Sequence, residues 1–366
     1  MKQRNWGIDL LRIVAMMMIV TLHTLSHGGL LDKGPILGLR YQSIWILEIL
    51  AYCSVNVFAL ISGYVGVNKR FNYHNISALW LLACFYTVVN TAIGCFIFPK
   101  DYGLTDLGLS FFPLLTQRYW YFTAYFCISF FVPAFNYILN NLNKTDLTAM
   151  MISLFGLFSV MTTLISDDLF TVGYGYSPLW LAILYLFGGY LKRFDSFSSW
   201  SKTKLLLTYL SASAITYLTK LGIQWWDLHS ETKIGNSWYL VRYTSPTMVL
   251  DAVALLILFA KLDLSAWQKP IKILTPMTFS VYLIHVHPVW FQAIDQQLAF
   301  LLKKPLVTMY LGIVLSVLAI YFTCSLVDWL RIKLFNRLNV QKLAVWMTQS
   351  VQKLFKSSFP SLPNNG

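Results

Sequence analysis

Hydrophobic and polar positions along this chain segregate into long blocks instead of alternating. Apolar stretches close to the roughly 20 residues that a helix needs to cross a bilayer recur at 8–28, 42–66, 76–98, 119–139, 147–165, 178–191, 204–222, 243–261, 275–294 and 305–330, with short polar joints between them. The pattern predicts an all-α, polytopic membrane bundle of about ten transmembrane helices, the sixth being the shortest. Composition agrees: 57% of the 366 residues are apolar, 16% are aromatic and only 12% are charged, with a mean hydropathy of +0.58. The first block starts basic, as a secretory signal does. The Leu25-Ser26-His27-Gly28 junction is a poor cleavage site, however, and nine further blocks follow, so this block is expected to stay as a helix.

A net charge of +13 changes the picture only once the basic residues are placed. Alternating the joints between two sides assigns 18 Lys and Arg to the side holding Lys2 and Arg4, nine to the other, and leaves Arg12 inside the first block. That bias predicts cytoplasmic termini by the positive-inside rule and removes the need for a nucleic-acid partner. Residues 1–335 read as one transmembrane domain, and 336–366 as a basic cytoplasmic tail apposed to anionic membrane lipid that ends in a disordered SSFPSLPNNG segment. Cys53, Cys84, Cys95, Cys127 and Cys324 lie in apolar blocks without metal-ligand spacing, so neither a disulfide framework nor a metal is expected.

Candidate chemistry sits where polar residues interrupt the blocks. Arg12 and His23 are eleven positions apart, so on a helix they share one face about 16 Å apart along the axis. Arg12 can serve a partner in the bundle, or it can pair with Asp9 or reach the headgroups. His23 can be an interhelical contact or a site residue. Depth along the helices puts Glu48 at a level similar to His23, His285 near the midplane, and Asp251 roughly eight residues into its block. Asn56 reads as either interhelical glue or a cavity donor, and Ser62 as a small residue allowing close helix approach. The 221–243 segment is predicted to be the longest external loop. Its Trp225, Trp226 and Asp227 combine aromatic rings with a carboxylate, as a sugar-binding face does, although tryptophans also form ordinary membrane-border belts.

Four further stretches carry a family resemblance: VNVFALISGYVGV (55–67), YWYFTAYFCISFFVPAFN (119–136), LYLFGGYLKRF (184–194) and FSVYLIHVHP (279–288). With Arg12-x10-His23 they resemble, in order, the motifs of the membrane acyltransferase-3 family, over residues 5 to about 330. The resemblance implies an integral membrane O-acyltransferase that uses acyl-CoA, usually acetyl-CoA, as donor substrate with no permanently bound cofactor. It also implies a carbohydrate or lipid-linked glycan acceptor at the cell surface. Many members carry Arg-x-x-Arg after the SGY helix. This chain has NKRFNYHN (68–75) there, which leaves Lys69 and Arg70 as the cations for the donor's phosphates.

The chemistry of acyl transfer asks for the same residue types. A base must take the hydroxyl proton, an oxyanion must be stabilised, and water must be kept from the thioester. Histidine suits the first task near neutral pH. The reading is therefore a plasma-membrane O-acetyltransferase for polysaccharide modification. His23, Glu48 and His285 are the catalytic candidates, with Glu48 orienting His23. Arg12, Lys69 and Arg70 face the donor, and Asp251, Trp225, Trp226 and Asp227 face the acceptor. The alternative is a non-enzymatic transporter or export partner for a surface glycan, which has no reason to bind acetyl-CoA.

Overall fold

A computed structural model describes residues 4–69 and 71–358. In chain order its helices are α1 (Trp6–His27), α2 (Leu39–Tyr52), α3 (Ser54–Gly66), α4 (His74–Ile97), α5 (Leu104–Leu109), α6 (Trp120–Ser129), α7 (Val132–Asn141), α8 (Lys144–Phe155), α9 (Thr162–Ile165), α10 (Pro178–Phe194), α11 (Lys202–His229), α12 (Pro246–Ala260), α13 (Gln268–Leu274), α14 (Thr278–His285), α15 (Pro288–Ile294), α16 (Leu306–Arg337) and α17 (Val340–Ser358). No strand occurs among the described residues. Local chemistry sets the starts. Asn5 accepts from the Ile8 amide at 3.1 Å ahead of α1, Ser177 from Trp180 at 3.2 Å ahead of α10, and Ser201 from Lys204 at 3.1 Å ahead of α11. Each side-chain oxygen satisfies one of the unpaired first-turn amides.

Proline sets two interruptions. Pro133 lacks an amide hydrogen and its ring would meet the carbonyl four residues back, that of Ser129, the last residue of α6. The chain there bends by 58° into α7. Pro288 holds His287 extended (φ −63°, ψ 136°), so the ninth apolar block is broken into α14 and α15 just beyond His285.

Among the described residues, five helical stretches are long and apolar enough to cross a membrane: α1, α2 with α3, α4, α8 through α9, and α16. The bent α6–α7 pair makes a sixth if it counts as one span. The other four blocks are helical too, but α10 and α12 have only 17 and 15 residues, α14–α15 is interrupted, and α11 carries more polar residues than a lipid-facing span. The structure corrects the boundary of α11. It runs on to His229, because Lys220 and Gln224 are buried on its inner face and extend its packing past the predicted end at 222.

Glycine permits close helix contacts. A Cβ on Gly63 would lie 1.8 Å from the Tyr185 carbonyl oxygen, and one on Gly188 2.0 Å from that of Leu60. The SGY and GGY motifs are thus the two sides of the α3–α10 crossing, where small residues let backbones meet. Asn56 acts as interhelical glue: buried, it donates to the Tyr243 carbonyl at 2.8 Å and accepts from Trp180 Nε1 at 3.0 Å.

The described part of the tail is helical. Residues 340–358 form α17, which packs on α4 through a 2.8 Å hydrogen bond between the Ser77 and Thr348 hydroxyls. Residues 359–366, most of the segment predicted to be disordered, lie outside the described residues.

Candidate active site

Two spaces lie along the inner face of α1. The larger, about 940 Å³, opens at one end of the bundle and is bordered by Arg12, Lys69 and Arg331 together with polar side chains such as Asn72 and Asn75. Arg12, in the second turn of α1, and the α16–α17 junction both border it. The smaller space, about 30 Å³, lies beside His23 and has room for about one water. Phe58, Tyr121 and Phe279 border both spaces. They form an aromatic throat between the cations and the histidine.

Arg12 is both paired and placed. Its Nη1 donates to Asp9 Oδ1 at 2.5 Å, and Arg4 binds the other oxygen of the same buried carboxylate. Arg12 nonetheless keeps about a quarter of its side chain exposed and borders the large space. Lys69 stands on the same border; Arg70 lies outside the described residues. Arg331, near the end of α16, is the third cation there. It is held by Asp328 through two hydrogen bonds of 2.9 Å, and Asp328 also accepts from Tyr86 at 2.6 Å.

His23 Nδ1 lies 3.0 Å from His285 Nε2, and His285 Nδ1 lies 2.6 Å from the Val281 carbonyl one turn earlier. A carbonyl can only accept, so His285 carries its hydrogen on Nδ1, and the Nε2 of a neutral ring is then an acceptor. His23 must therefore donate from Nδ1, which leaves its Nε2 with a free lone pair. His285 is fixed in turn because α14 is tied down: the Leu283 carbonyl accepts from Tyr119 Oη at 2.8 Å and from Asn90 Nδ2 at 3.1 Å. On the far side His23 meets the edge of Phe291 at 5.1 Å between centroids, and His27 stacks on the same ring at 3.7 Å. His287 stands one residue ahead of α15. It is fully buried, caps α15, and faces Arg118 Nη1 at 3.3 Å.

The remaining predicted site residues are elsewhere. Glu48 is buried and makes no hydrogen bond to His23; the residue within hydrogen-bond reach of the His23 ring is His285. Asp251 is fully buried, accepts from Ser213 at 3.0 Å, and borders neither space. Trp225, Trp226 and Asp227 lie on the last turn of α11. Trp225 stacks on His229, Trp226 Nε1 donates to Thr232, and Asp227 accepts from the Ile234 and Gly235 amides at 2.7 and 3.0 Å. They fold their own turn back on itself. Trp120 and Tyr243, which line the space beside His23, were missed as site residues, because nothing in their local sequence separates them from the other aromatics.

A helical membrane bundle with a cation-rimmed chamber leading to a histidine relay defines a class of integral membrane transferase. The chain matches the acyltransferase domain of the acyltransferase-3 family over residues 5–326, nearly its whole length. It belongs to that family and is an acyltransferase acting on acceptors other than aminoacyl ones; the transporter alternative falls. No curated protein and no solved structure matches it.

Proposed function

We propose that this membrane acyltransferase moves an acetyl group from acetyl-CoA to a hydroxyl of a surface carbohydrate or lipid-linked glycan. It would act in the plasma membrane, with both termini cytoplasmic. The observation that carries the reading is the relay from the Val281 carbonyl through His285 to His23, which leaves a basic nitrogen at the inner end of the chamber. Arg12, Lys69 and Arg331 suit the phosphates of CoA at the chamber's mouth. The separation of Arg12 and His23, about 16 Å on α1, is of the order of an extended pantetheine arm.

In the transfer step, His23 Nε2 takes the acceptor's hydroxyl proton as that oxygen attacks the thioester carbonyl. The tetrahedral intermediate then expels the CoA thiolate, and the imidazolium returns the proton to sulfur. One C–O bond forms, one C–S bond breaks, and His23 ends neutral. His285 accepts from His23 Nδ1 throughout, holding the ring's orientation as the imidazolium forms. Tyr121, Tyr243 and Tyr282 border the reacting volume, and their hydroxyls are the donors proposed for the oxyanion. The aromatic throat keeps bulk water from the thioester.

The test is transfer of label from [14C]acetyl-CoA by purified protein, in wild type and in His23→Ala. The proposal requires saturable donor turnover that His23→Ala abolishes while donor binding persists. A wild-type protein that neither binds nor turns over acetyl-CoA would overturn it.

A further inference from the structure

A groove of about 610 Å³ between α11 and α12 belongs to neither space described above. Its floor follows from one stripe of α11. Lys204, Thr208, Ser211, Ala212 and Ile215 recur at i, i+4, i+7, i+8 and i+11, so they stand on one face of the helix. The serine, threonine and alanine in the middle of that stripe are too small to fill the space between Leu207 and Ile215. The opposite wall is Pro246, Thr247 and Leu250, from the first turns of α12. The two helices meet there, because Thr216 Oγ1 donates to Thr247 Oγ1 at 2.7 Å.

The groove is apolar along its length and cationic at one end. Two of its hydroxyls are already engaged: Thr208 donates to the Lys204 carbonyl at 2.9 Å, and Thr247 lies between Thr216 and Ser245. Leu207, Ile215 and Leu250 are exposed, so hydrocarbon, not a polar ligand, suits the middle of the groove. Lys204 stands at one end of it, with Nζ 4.0 Å over the Trp200 ring, and an aromatic beside a long cationic side chain marks the headgroup level. That end of the bundle is the one where α1 begins. Asn5 Nδ2 donates to the Ala260 carbonyl at 2.9 Å, and the adjacent Lys261 donates from Nζ to the Ser198 and Trp200 carbonyls at 2.6 and 2.8 Å. From Lys204 to Ile215 the helix rises about 16 Å. One leaflet of the ~30 Å hydrocarbon core is about as deep, at ~15 Å.

We propose that the groove seats one anionic phospholipid, with its phosphate at Lys204 and one acyl chain lying over Ala212 to the level of Pro246. Length, apolar lining and the cation at one end all match such a lipid. A free phosphate would leave the apolar length empty, and a lipid without net charge would leave Lys204 without an anion. Among the described residues, the groove and the space beside His23 share no border residue. The lipid is therefore a resident that braces α12, a helix of only 15 residues, and not an acceptor presented to the histidine.

The experiment titrates the full-length protein in detergent with phosphatidylglycerol or phosphatidylcholine carrying the same acyl chains, and counts bound lipid by native mass spectrometry. Wild type is compared with Lys204→Gln, Ser211→Phe and, as a control, Lys144→Gln at the start of α8. Lys204 and Ser211 are both exposed, so neither change disturbs the core. Wild type should hold one phosphatidylglycerol about fivefold more tightly than phosphatidylcholine, as for one basic residue at an anionic surface. Lys204→Gln should abolish that preference, Ser211→Phe should weaken both lipids several-fold by filling the groove, and Lys144→Gln should match wild type. Phosphatidylglycerol should also raise the melting temperature of wild type more than that of Ser211→Phe. Equal affinity for the two lipids in wild type, or an equal loss of preference in Lys144→Gln, overturns the anionic headgroup at Lys204. Unchanged lipid binding in Ser211→Phe overturns the groove as its seat. A lipid-free dimer of wild type that Ser211→Phe dissociates would give the groove to a second copy of this chain, and overturns the proposal as well.

Discussion

His23 Nδ1 stands 3.0 Å from His285 Nε2, and the hydrogen that His285 gives to the Val281 carbonyl decides which of the two rings is the base. The order of donation runs from His23 to His285 to the backbone, so the free lone pair belongs to His23. The two rings fail differently as a result. His23→Ala removes the base and should lower single-turnover transfer by about 10²–10⁴-fold. His285→Ala leaves the base but frees its ring, and should lower kcat by roughly tenfold with donor affinity retained. If His285→Ala abolishes transfer while His23→Ala retains it, the roles are reversed.

The cations at the chamber's mouth predict a donor phenotype. Arg12→Ala and Lys69→Ala should each weaken acetyl-CoA binding several-fold, because each removes one partly exposed charge from a phosphate site. The loss should shrink as salt rises and screening removes what the charge contributed. Arg12→Lys should recover only part of it, since a lysine cannot hold the Asp9 carboxylate and a phosphate with one planar fork. Titration calorimetry in detergent at two ionic strengths separates these outcomes; an unchanged affinity for Arg12→Ala removes Arg12 from the donor site.

How far the sequence reached depended on whether a relationship lay within one helix or between two. The Arg12–His23 spacing is fixed by helical repeat alone, and the structure has the two residues bordering neighbouring spaces that share Phe58, Tyr121 and Phe279 as walls. Glu48 failed because depth along α2 was legible but rotation about its axis was not, and rotation decides whether a side chain meets His23 or Tyr52. His285 was legible as a buried ionisable group, but its pairing depends on α14 ending just before Pro288, which sets where the ring sits. The Trp225–Asp227 segment was read as loop from its polar composition. The buried face formed by Lys220 and Gln224 carries α11 through it.

The α3–α10 crossing should be the least tolerant place in the bundle. Gly63→Ala puts a methyl 1.8 Å from the Tyr185 carbonyl oxygen, and backbone cannot move aside as a flexible side chain can. The helices must separate, at an overpacking cost of about 1–3 kcal/mol, so Gly63→Ala and Gly188→Ala should lower the melting temperature of the detergent-solubilised protein. A control is Gly156→Ala, where nothing lies within 4 Å of the added carbon. Equal melting temperatures for Gly63→Ala and Gly156→Ala would mean that the crossing is looser than described.

Placement of Arg12 on α1 and of the α16–α17 junction on the border of the large chamber ties topology to donor supply. Acetyl-CoA is cytoplasmic, so the end bearing Arg12, Lys69 and Arg331 must face the cytoplasm if these residues bind it. Reporter fusions at the N-terminus and after Asn339 should both report cytoplasm, and a cysteine at Tyr176 should be labelled from outside intact cells. Termini on opposite faces would break the shared chamber mouth.

Helix α17 lies beyond the family domain, which ends at residue 326, yet Val340, Gln341 and Ala344 border the large chamber proposed for the donor. The helix is amphipathic. Ala344 and Thr348 face α4 and are buried, whereas Leu343, Trp346 and Val351 are exposed and Lys342 and Lys353 are basic, a composition suited to lying along an anionic membrane surface. Truncation after Asn339 should thus remove a wall and leave the histidines untouched. The expected result is a donor KM raised several-fold with kcat nearly unchanged, and faster hydrolysis of acetyl-CoA by water admitted to the chamber. Restoring the helix with Ser77→Ala, which deletes only its hydrogen bond to Thr348, should give a milder form of the same KM effect. A truncated protein with wild-type KM would show that α17 anchors the chain without shaping the donor chamber, and one with reduced kcat at saturating donor would extend its influence to the His23–His285 relay.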